Sequence, residues 1–281
     1  MQDADAYRAE SRRGWGSVAE GWERHAPSIR GAFMPVTVWM LDAAHLQPGA
    51  RVLELAAGTG EVGLMAHELI QPGGSLIISD FAPEMLSAAQ RHADERGAGD
   101  IRFKQIDMES IDVDAASLDA VLCRFGLMFL PDPEAALREV RRVLRPGGRF
   151  TTAAWTAAEE NPWSSVVSAT LVELGHAEAP PPGQPGQFAF ARDGLLRELL
   201  EGAGFVDGIA VEALAFAMPE TFDTWWARTQ EMSRVGAVIR ALAAGERDDV
   251  REALRAKLAR YEDADGVLQL PARTWVGAAT A

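Results

Sequence analysis

The sequence holds one cysteine, Cys123, in 281 residues. A lone thiol excludes an internal disulfide framework and suits a reducing compartment, and its place at the end of an apolar stretch makes it a core residue rather than a nucleophile. Histidine is scarce as well: His25, His45, His67, His92 and His176 are the five, with no pair at metal-ligand spacing, so no metal site is expected. No apolar run approaches the length of a membrane-spanning helix, and Met1-Gln2-Asp3-Ala4-Asp5 lacks the basic start of a secretory signal. A cytoplasmic protein without stable membrane insertion is therefore expected. Positive charge is outweighed, with 27 Lys and Arg against 41 Asp and Glu, a net charge of -14. Such a surface repels phosphate backbones and anionic lipids, which disfavours a nucleic-acid partner. The densest basic run, residues 138–149, reads as the solvated face of a helix. There are no internal repeats, and the one low-complexity stretch, residues 180–186, reads as a loop.

What is present begins at residues 52–60. Val52-Leu53-Glu54-Leu55 is the apolar run of a buried parallel strand, and Ala56-Ala57-Gly58-Thr59-Gly60 is a turn in which glycine permits a sharp bend and a close approach of backbone to ligand. Residues 61–70 follow as a helix with Val62, Met65, Ala66 and Leu69 on one face. Strand, glycine turn and helix make half of a βαβ unit. Gly58 to Gly63 also satisfies G-x-G-x-x-G, with Asp80 near the spacing of a dinucleotide site's ribose-binding acid. A nicotinamide-dependent oxidoreductase is thus one reading. Glu54 favours another, because a carboxylate at the strand's carboxyl end would repel a pyrophosphate but attract the ammonium of S-adenosylmethionine.

The following strands repeat the pattern. Residues 75–79 lead to Asp80, Phe81 and a helix opened by Pro83 that carries Met85; residues 101–106 lead to Asp107-Met108-Glu109; residues 118–123 lead to Arg124-Phe125-Gly126. Four strands in succession end in polar or special residues, where an open α/β sheet binds its ligands. Asp132 and Pro133 then start a helix with Leu137, Val140 and Leu144 at helical spacing, Arg145-Pro146-Gly147-Gly148 stops it, and residues 149–155 form a fifth strand.

With these residues in view, the chain resembles the class I S-adenosylmethionine-dependent methyltransferases, in the branch that includes the ubiquinone and menaquinone biosynthesis methyltransferases. The resemblance covers roughly residues 15–155 and rests on Glu54 to Gly60, Asp80, Asp107-Met108, and Pro131-Asp132-Pro133 through Gly148. Ala56 stands where the family pattern has glycine, a tolerable change if that position needs no positive φ. The resemblance implies an α/β fold, a Rossmann-like, mostly parallel sheet with an antiparallel last strand, helices on both faces and a helical lid. It implies S-adenosyl-L-methionine as cofactor, with the methionine part on Glu54 and the Ala56, Gly58, Thr59 and Gly60 backbone. Asp80 would take the ribose hydroxyls, Asp107 the adenine amino group, Met108 and Phe81 the faces of the ring, with Met85 and Glu109 nearby; Arg124 and Phe125 would line the methyl side. The plainer alternatives make Met108 and Phe81 core residues and Glu109 and Arg124 paired surface charges.

One domain is expected over residues 1–281: a helical cap at 1–46, a cofactor-binding core at 47–155, and acceptor-side lid segments at 156–190 and 219–262. Trp15, Val18, Ala19 and Trp22 would form one helical face of the cap, and a helix over 163–174 would follow the fifth strand. Later come a helix at 193–201, a sixth strand at 205–214, helices at 221–244 and 246–261, and a returning strand at 267–280 that Pro271 leaves only partly paired. Trp22, Trp163, Trp225 and Trp226 are candidate acceptor contacts, with Phe188 and Phe190 as further lid aromatics; tryptophans at helical spacing also serve as core. Methyl transfer from a sulfonium needs little acid–base machinery, so no catalytic residue is named beyond His25 and His176 as weak candidates for a base. The expected acceptor is a small, apolar or aromatic molecule, and the expected state a monomer or homodimer. A catalytically silent adenosyl-binding scaffold is the remaining alternative.

Overall fold

Side chains alternate across each strand, and this sequence uses both faces. In β1 (Arg51–Leu55), Leu53 and Leu55 enter one hydrophobic cluster and Val52 enters another on the opposite side. The same division recurs in β4 (Leu118–Arg124), where Val121 and Cys123 face one way and Ala120 and Leu122 the other. Strands covered on both sides read as continuous apolar runs, as these do. The computed structural model describes residues 4–179, 181 and 183–281; residues 1–3 and Pro180 and Pro182 of the proline stretch lie outside the described residues.

Seven strands form one sheet: β1, β2 (Ser75–Asp80), β3 (Ile101–Gln105), β4, β5 (Leu144–Trp155), β6 (Asp207–Thr221) and β7 (Val267–Thr280). Their order is β3-β2-β1-β4-β5-β7-β6, parallel through β5, with β7 antiparallel to both neighbours. The mostly parallel Rossmann-like sheet is as expected. The chain reverses its direction of travel between β1 and β4, so the loops after these two strands part and leave a crevice at their carboxyl ends.

One face of the sheet is covered by α4 (Glu61–Leu69), α5 (Pro83–Glu95) and α3 (Ala26–Ala43), the other by α6 (Pro133–Val143) and α8 (Leu195–Gly202). Asp132 caps α6, accepting from the Ala135 amide at 2.9 Å, with Pro133 in the first turn. α3 is fastened to the sheet by charge as well as by Val36, Met40 and Leu41. Its Arg30 meets Glu61, a carboxylate 2% exposed that Arg96 also contacts at 3.1 Å. Burial pushes the Glu61 carboxyl up, but the two guanidinium groups outweigh it and hold the group below the usual range.

The cap and lid differ from the sequence reading in instructive ways. The cap is three helices, α1 (Ala4–Gly16), α2 (Ala19–Arg24) and α3, and the helix breaks at Ser17 and Val18 between the tryptophans expected on one face. Trp15 and Trp22 nonetheless meet, with ring centroids 6.2 Å apart, around Val18, Ala19, Ala82 and Met85. The segments read as a lid hold α7 (Pro162–Glu173), α9 (Phe222–Met232), α10 (Arg234–Ala241) and α11 (Ala244–Leu258). The single helix expected at 221–244 is interrupted at extended Ser233, whose hydroxyl accepts from the Gly236 amide at 2.8 Å and starts α10 afresh.

β6 runs longer than expected and pairs with β7 from Asp207 to Thr221, with an irregularity between Asp207 and Ala210 and with Pro271 inside the ladder. Arg273 donates its N–H to Asn161 Oδ1 and accepts at its carbonyl from the Thr156 hydroxyl, both on the side away from β6. Pro271 lies two residues earlier and so presents its missing N–H to that same side, beyond the end of the β5 ladder at Thr274, where no strand partner is lost. Residues 222–266 thus leave and return at the paired Thr221 and Val267. Among the described residues no helix is long and apolar enough to cross a membrane.

Candidate active site

Leu55 ends β1 and the chain turns through Ala56, Gly58 and Gly60, all at positive φ (49°, 55° and 79°). Gly60 caps α4, and a Cβ on Gly58 would meet nothing within 4 Å, so the turn opens onto free space. Ala56 does need a positive φ, contrary to the condition that made its substitution for glycine harmless; the left-handed region costs an L-residue about 1–2 kcal/mol. Glycine at this position loses that strain and pays back part of it as unfolded-chain entropy. Ala56→Gly is therefore expected to be stabilising by up to about 1 kcal/mol in urea unfolding.

Glu54 decides what the crevice can hold. Its carboxylate is 2% exposed, and its Oε2 has no hydrogen-bond partner of proper geometry. A Cβ on Gly63 would lie 2.3 Å from that oxygen. The third glycine of the G-x-G-x-x-G run therefore makes room for an acid rather than for a pyrophosphate. Burial pushes the Glu54 carboxyl up to about 8, against the opposing pull of the Arg124 guanidinium and the Gly63 amide. A buried acid at this value is poised to ionise when a cation arrives.

Asp80, at the end of β2, accepts from the Gly58 amide through Oδ2 (2.8 Å) and from the Ala82 amide through Oδ1 (2.9 Å). Burial raises its carboxyl despite these bonds. Each oxygen keeps a lone pair beyond its amide bond, the capacity needed to accept a pair of ribose hydroxyls. An unpartnered acid, open backbone and a second carboxylate with spare acceptors fit the cationic amino acid and ribose of S-adenosylmethionine.

The same cavity, about 1150 Å³, extends past Phe81, Met85, Asp107 and Met108. Asp107 Oδ1 accepts from the Glu109 amide at 3.0 Å, while Met108 is 7% exposed and packs on the Cys123 thiol at 3.7 Å. Glu109 borders the cavity, but both its oxygens are engaged by protein: one takes the Asp132 amide (2.7 Å), the other the Arg8 guanidinium (Nε at 2.6 Å). It fastens α1 over this end. Arg124 donates to the Thr37 hydroxyl at 2.6 Å, and burial lowers its pKa although Glu54 favours its charge. Thr59 and Gly60 face α5 instead of the cavity: the Thr59 carbonyl meets His92 Nδ1 at 3.1 Å, and a Cβ on Gly60 would press on Ala89 at 3.1 Å.

Beyond Arg124 the walls become aromatic. Phe125 holds a φ of 62°, costly for a bulky residue, and stacks on Trp155 with centroids 4.2 Å apart and an interplanar angle of 10°. Phe33 meets Phe125 edge-on at 5.3 Å, and Trp163 lies 4.9 Å from Trp155. Trp22 and Trp163 line the cavity; Trp225 and Trp226 do not. Trp225 is fully buried and donates its indole N–H to the Trp163 carbonyl at 2.9 Å, so it positions a wall residue from behind. His25 pairs with Glu231 at 3.0 Å and His176 follows the end of α7; neither borders the cavity. Tyr7, Arg8, Phe33, Trp155 and Arg228 line it without having been singled out in the sequence, and so does Trp15, which was read as part of a helical face of the cap. For Trp155 the signal was there, since it ends the fifth strand as Glu54, Asp80 and Arg124 end or nearly end theirs.

Comparison with known proteins agrees with this geometry. Residues 52–148 match the methyltransferase-domain family. The ubiquinone/menaquinone biosynthesis C-methyltransferase of Hahella chejuensis is 37% identical over 111 residues, 39% of this chain and 45% of that protein. The demethylmenaquinone methyltransferase of Thermus thermophilus is 41% identical over 110 residues, 39% of this chain and 49% of that protein. The chain thus spans about half the length of the curated relatives it matches. Among solved structures, the YcgJ protein of Bacillus subtilis superposes with a TM-score of 0.59 at 20% identity, over 88% of this chain and 98% of that one, a likeness of fold. Residues 52–148, which carry Glu54, the glycine turn, Asp80 and Asp107, are thus similar to the methyltransferase-domain family and to methyltransferases of quinone biosynthesis.

Proposed function

We propose that the protein transfers a methyl group from S-adenosylmethionine to a small molecule with a flat, apolar or aromatic body. The observation that carries this reading is the division of one cavity into an acidic end, built on Glu54 and Asp80, and an aromatic end, built on Phe33, Phe125, Trp155 and Trp163. Glu54 would hold the methionine ammonium, Asp80 the ribose, Asp107 the adenine amino group, and Phe81 and Met108 the ring faces. The cofactor, when bound, supplies an electrophilic methyl on a sulfonium. The chain's part is to position and to dry. Holding two reactants in near-attack geometry contributes about 7–11 kcal/mol in favourable cases. The aromatic panel of β4, β5, α3 and α7 gives a planar acceptor a defined slot, and α1, α9 and α10 keep water from it.

The curated relatives' names concern quinone biosynthesis, and a quinone precursor has the planar, apolar body such a slot would take. The net charge of -14 argues for a small acceptor over a nucleic acid, and the lone cysteine for work in a reducing compartment, the cytoplasm. Asp80→Ala is expected to weaken S-adenosylmethionine binding at least tenfold by calorimetry while the circular dichroism spectrum stays native; unchanged affinity would refute this placement of the ribose. For the activity itself, purified protein is incubated with methyl-labelled S-adenosylmethionine and a cell extract. Enzyme-dependent label in a small molecule is the expected outcome, and tight cofactor binding with no transfer to any fraction would favour the silent scaffold.

A further inference from the structure

Arg228 of α9 is 8% exposed and lies in the wall of the acceptor end. Its guanidinium is gripped by Glu220 of β6 through Nε (3.2 Å) and Nη2, and both side chains of the pair are 9% exposed. An arginine has five N–H donors, and this grip uses two. Nη1 makes no hydrogen bond to any described residue. That nitrogen is not shut off from solvent, so the oriented cation keeps a donor edge that a ligand oxygen can reach.

Its surroundings indicate the ligand. Arg228 and Phe33 both border the main cavity and a side pocket of about 330 Å³ between α3 and β6, so Arg228 shares both walls with a member of the aromatic panel. The other arginines of the main cavity are placed elsewhere: Arg8 on Glu109, Arg124 on Thr37 and near Glu54, Arg234 at 3.4 Å from Glu10. No histidine and no lysine is among the described lining residues, and the four carboxylates there, Glu54, Asp80, Asp107 and Glu109, all follow or end β1 to β3 at the cofactor end. No general base is thus provided at the acceptor end, so an acceptor must arrive already able to act as a nucleophile.

Resting on the acceptor reading of this cavity, we infer that the acceptor is an aromatic molecule bearing an anionic oxygen, and that Arg228, aimed by Glu220, is the specificity residue that receives that oxygen. A guanidinium edge pairs with an oxyanion through charge-assisted bonds roughly twice as strong as neutral ones. Local pairing is needed because a protein of net charge -14 repels anions at long range. Glu220 takes the inner edge of the guanidinium and fixes its plane, leaving the outer edge for the ligand. A neutral acceptor of the same shape would leave those donors unsatisfied.

The test uses 2-naphthoate and its neutral isostere 2-naphthamide as probes, read by quenching of the cavity tryptophans. The intact protein is expected to bind the carboxylate at least tenfold more tightly than the amide. Arg228→Met combined with Glu220→Met removes the pair together, so that no buried charge is stranded; this variant is expected to keep its affinity for the amide and lose the preference. Glu220→Gln keeps the arginine and is expected to keep the preference. Equal affinities in the intact protein, binding of neither probe, or a preference that survives in the double variant would overturn the inference. Calorimetry with S-adenosylmethionine on the same samples separates the two questions, because loss of cofactor binding in the intact protein would overturn the methyltransferase reading without touching the probe preference.

Discussion

Glu54→Gln is expected to make the empty protein more stable at pH 8 and to deprive it of its cofactor. The folded carboxyl titrates at about 8, the unfolded one near 4.5. Between those values the folded state holds more protons than the unfolded state, so unfolding free energy falls as pH rises, and the loss is complete above pH 8. The difference of 3.5 units, at 1.36 kcal/mol each, sets a penalty on the order of 4 kcal/mol at pH 8 and little at pH 5. Glutamine carries no such penalty. The melting temperature of the variant should exceed that of the parent by several degrees at pH 8 and match it near pH 5. A variant less stable than the parent at pH 8 would mean that Glu54 is ionised and paired in the folded state. For binding the sign reverses. An ammonium ligand favours the ionised acid, so wild-type affinity for S-adenosylmethionine should rise between pH 6 and pH 7.5 with release of a proton. Glu54→Gln should bind at least tenfold more weakly at pH 7.5 and show a flat profile.

Gly21→Ala is expected to loosen the cap from the lid. A Cβ there would lie 2.3 Å from the Glu231 carbonyl oxygen and 2.7 Å from its carbon. These are backbone atoms of α9, so no rotamer change relieves the clash and one helix must move. Three contacts depend on that approach: the Trp22 indole N–H on the Met232 carbonyl (2.9 Å), Arg24 on Glu231 (2.6 Å) and His25 on Glu231 (3.0 Å). Overpacking of this kind costs about 1–3 kcal/mol, which in a chain of this size lowers the melting temperature by roughly 2–10 °C. The expected companion is easier quenching of tryptophan fluorescence by acrylamide, since Trp15 and Trp22 sit at the loosened edge. A melting temperature and quenching equal to the parent's would show that α2 and α9 can separate at no cost.

The sheet was legible because its strands are buried on both faces and punctuated by residues with one physical reading each: Gly58 and Gly60 in the turn, Pro83 and Pro133 at helix starts, Asp132 as a cap. The acidic end was legible for the same reason, since Glu54 and Asp80 stand at the carboxyl ends of their strands and Asp107 just beyond its own. The acceptor end was not. Trp163 and Trp225 have similar local patterns, yet one lines the cavity and the other supports it from behind, a difference set by packing between α7 and α9. The split at Ser233 hinged on one hydroxyl satisfying the Gly236 amide, a local competition that hydrophobic periodicity does not register. Arg228 became visible only when β6 brought Glu220 against it.

The helices α9 to α11 depart from the sheet at Thr221 and rejoin it at Val267, two residues that face each other across one ladder. Topologically this whole acceptor-side segment is the tip of a hairpin. A segment whose two ends are neighbours can be lengthened, shortened or exchanged without altering the strands that carry it. If the proposed function holds, the part that holds the cofactor and the part that chooses the acceptor can diverge at different rates. On the proposed function, residues 222–266, which supply Arg228 to Val238 to the cavity wall, are where a new acceptor range would be grafted onto an unchanged cofactor site.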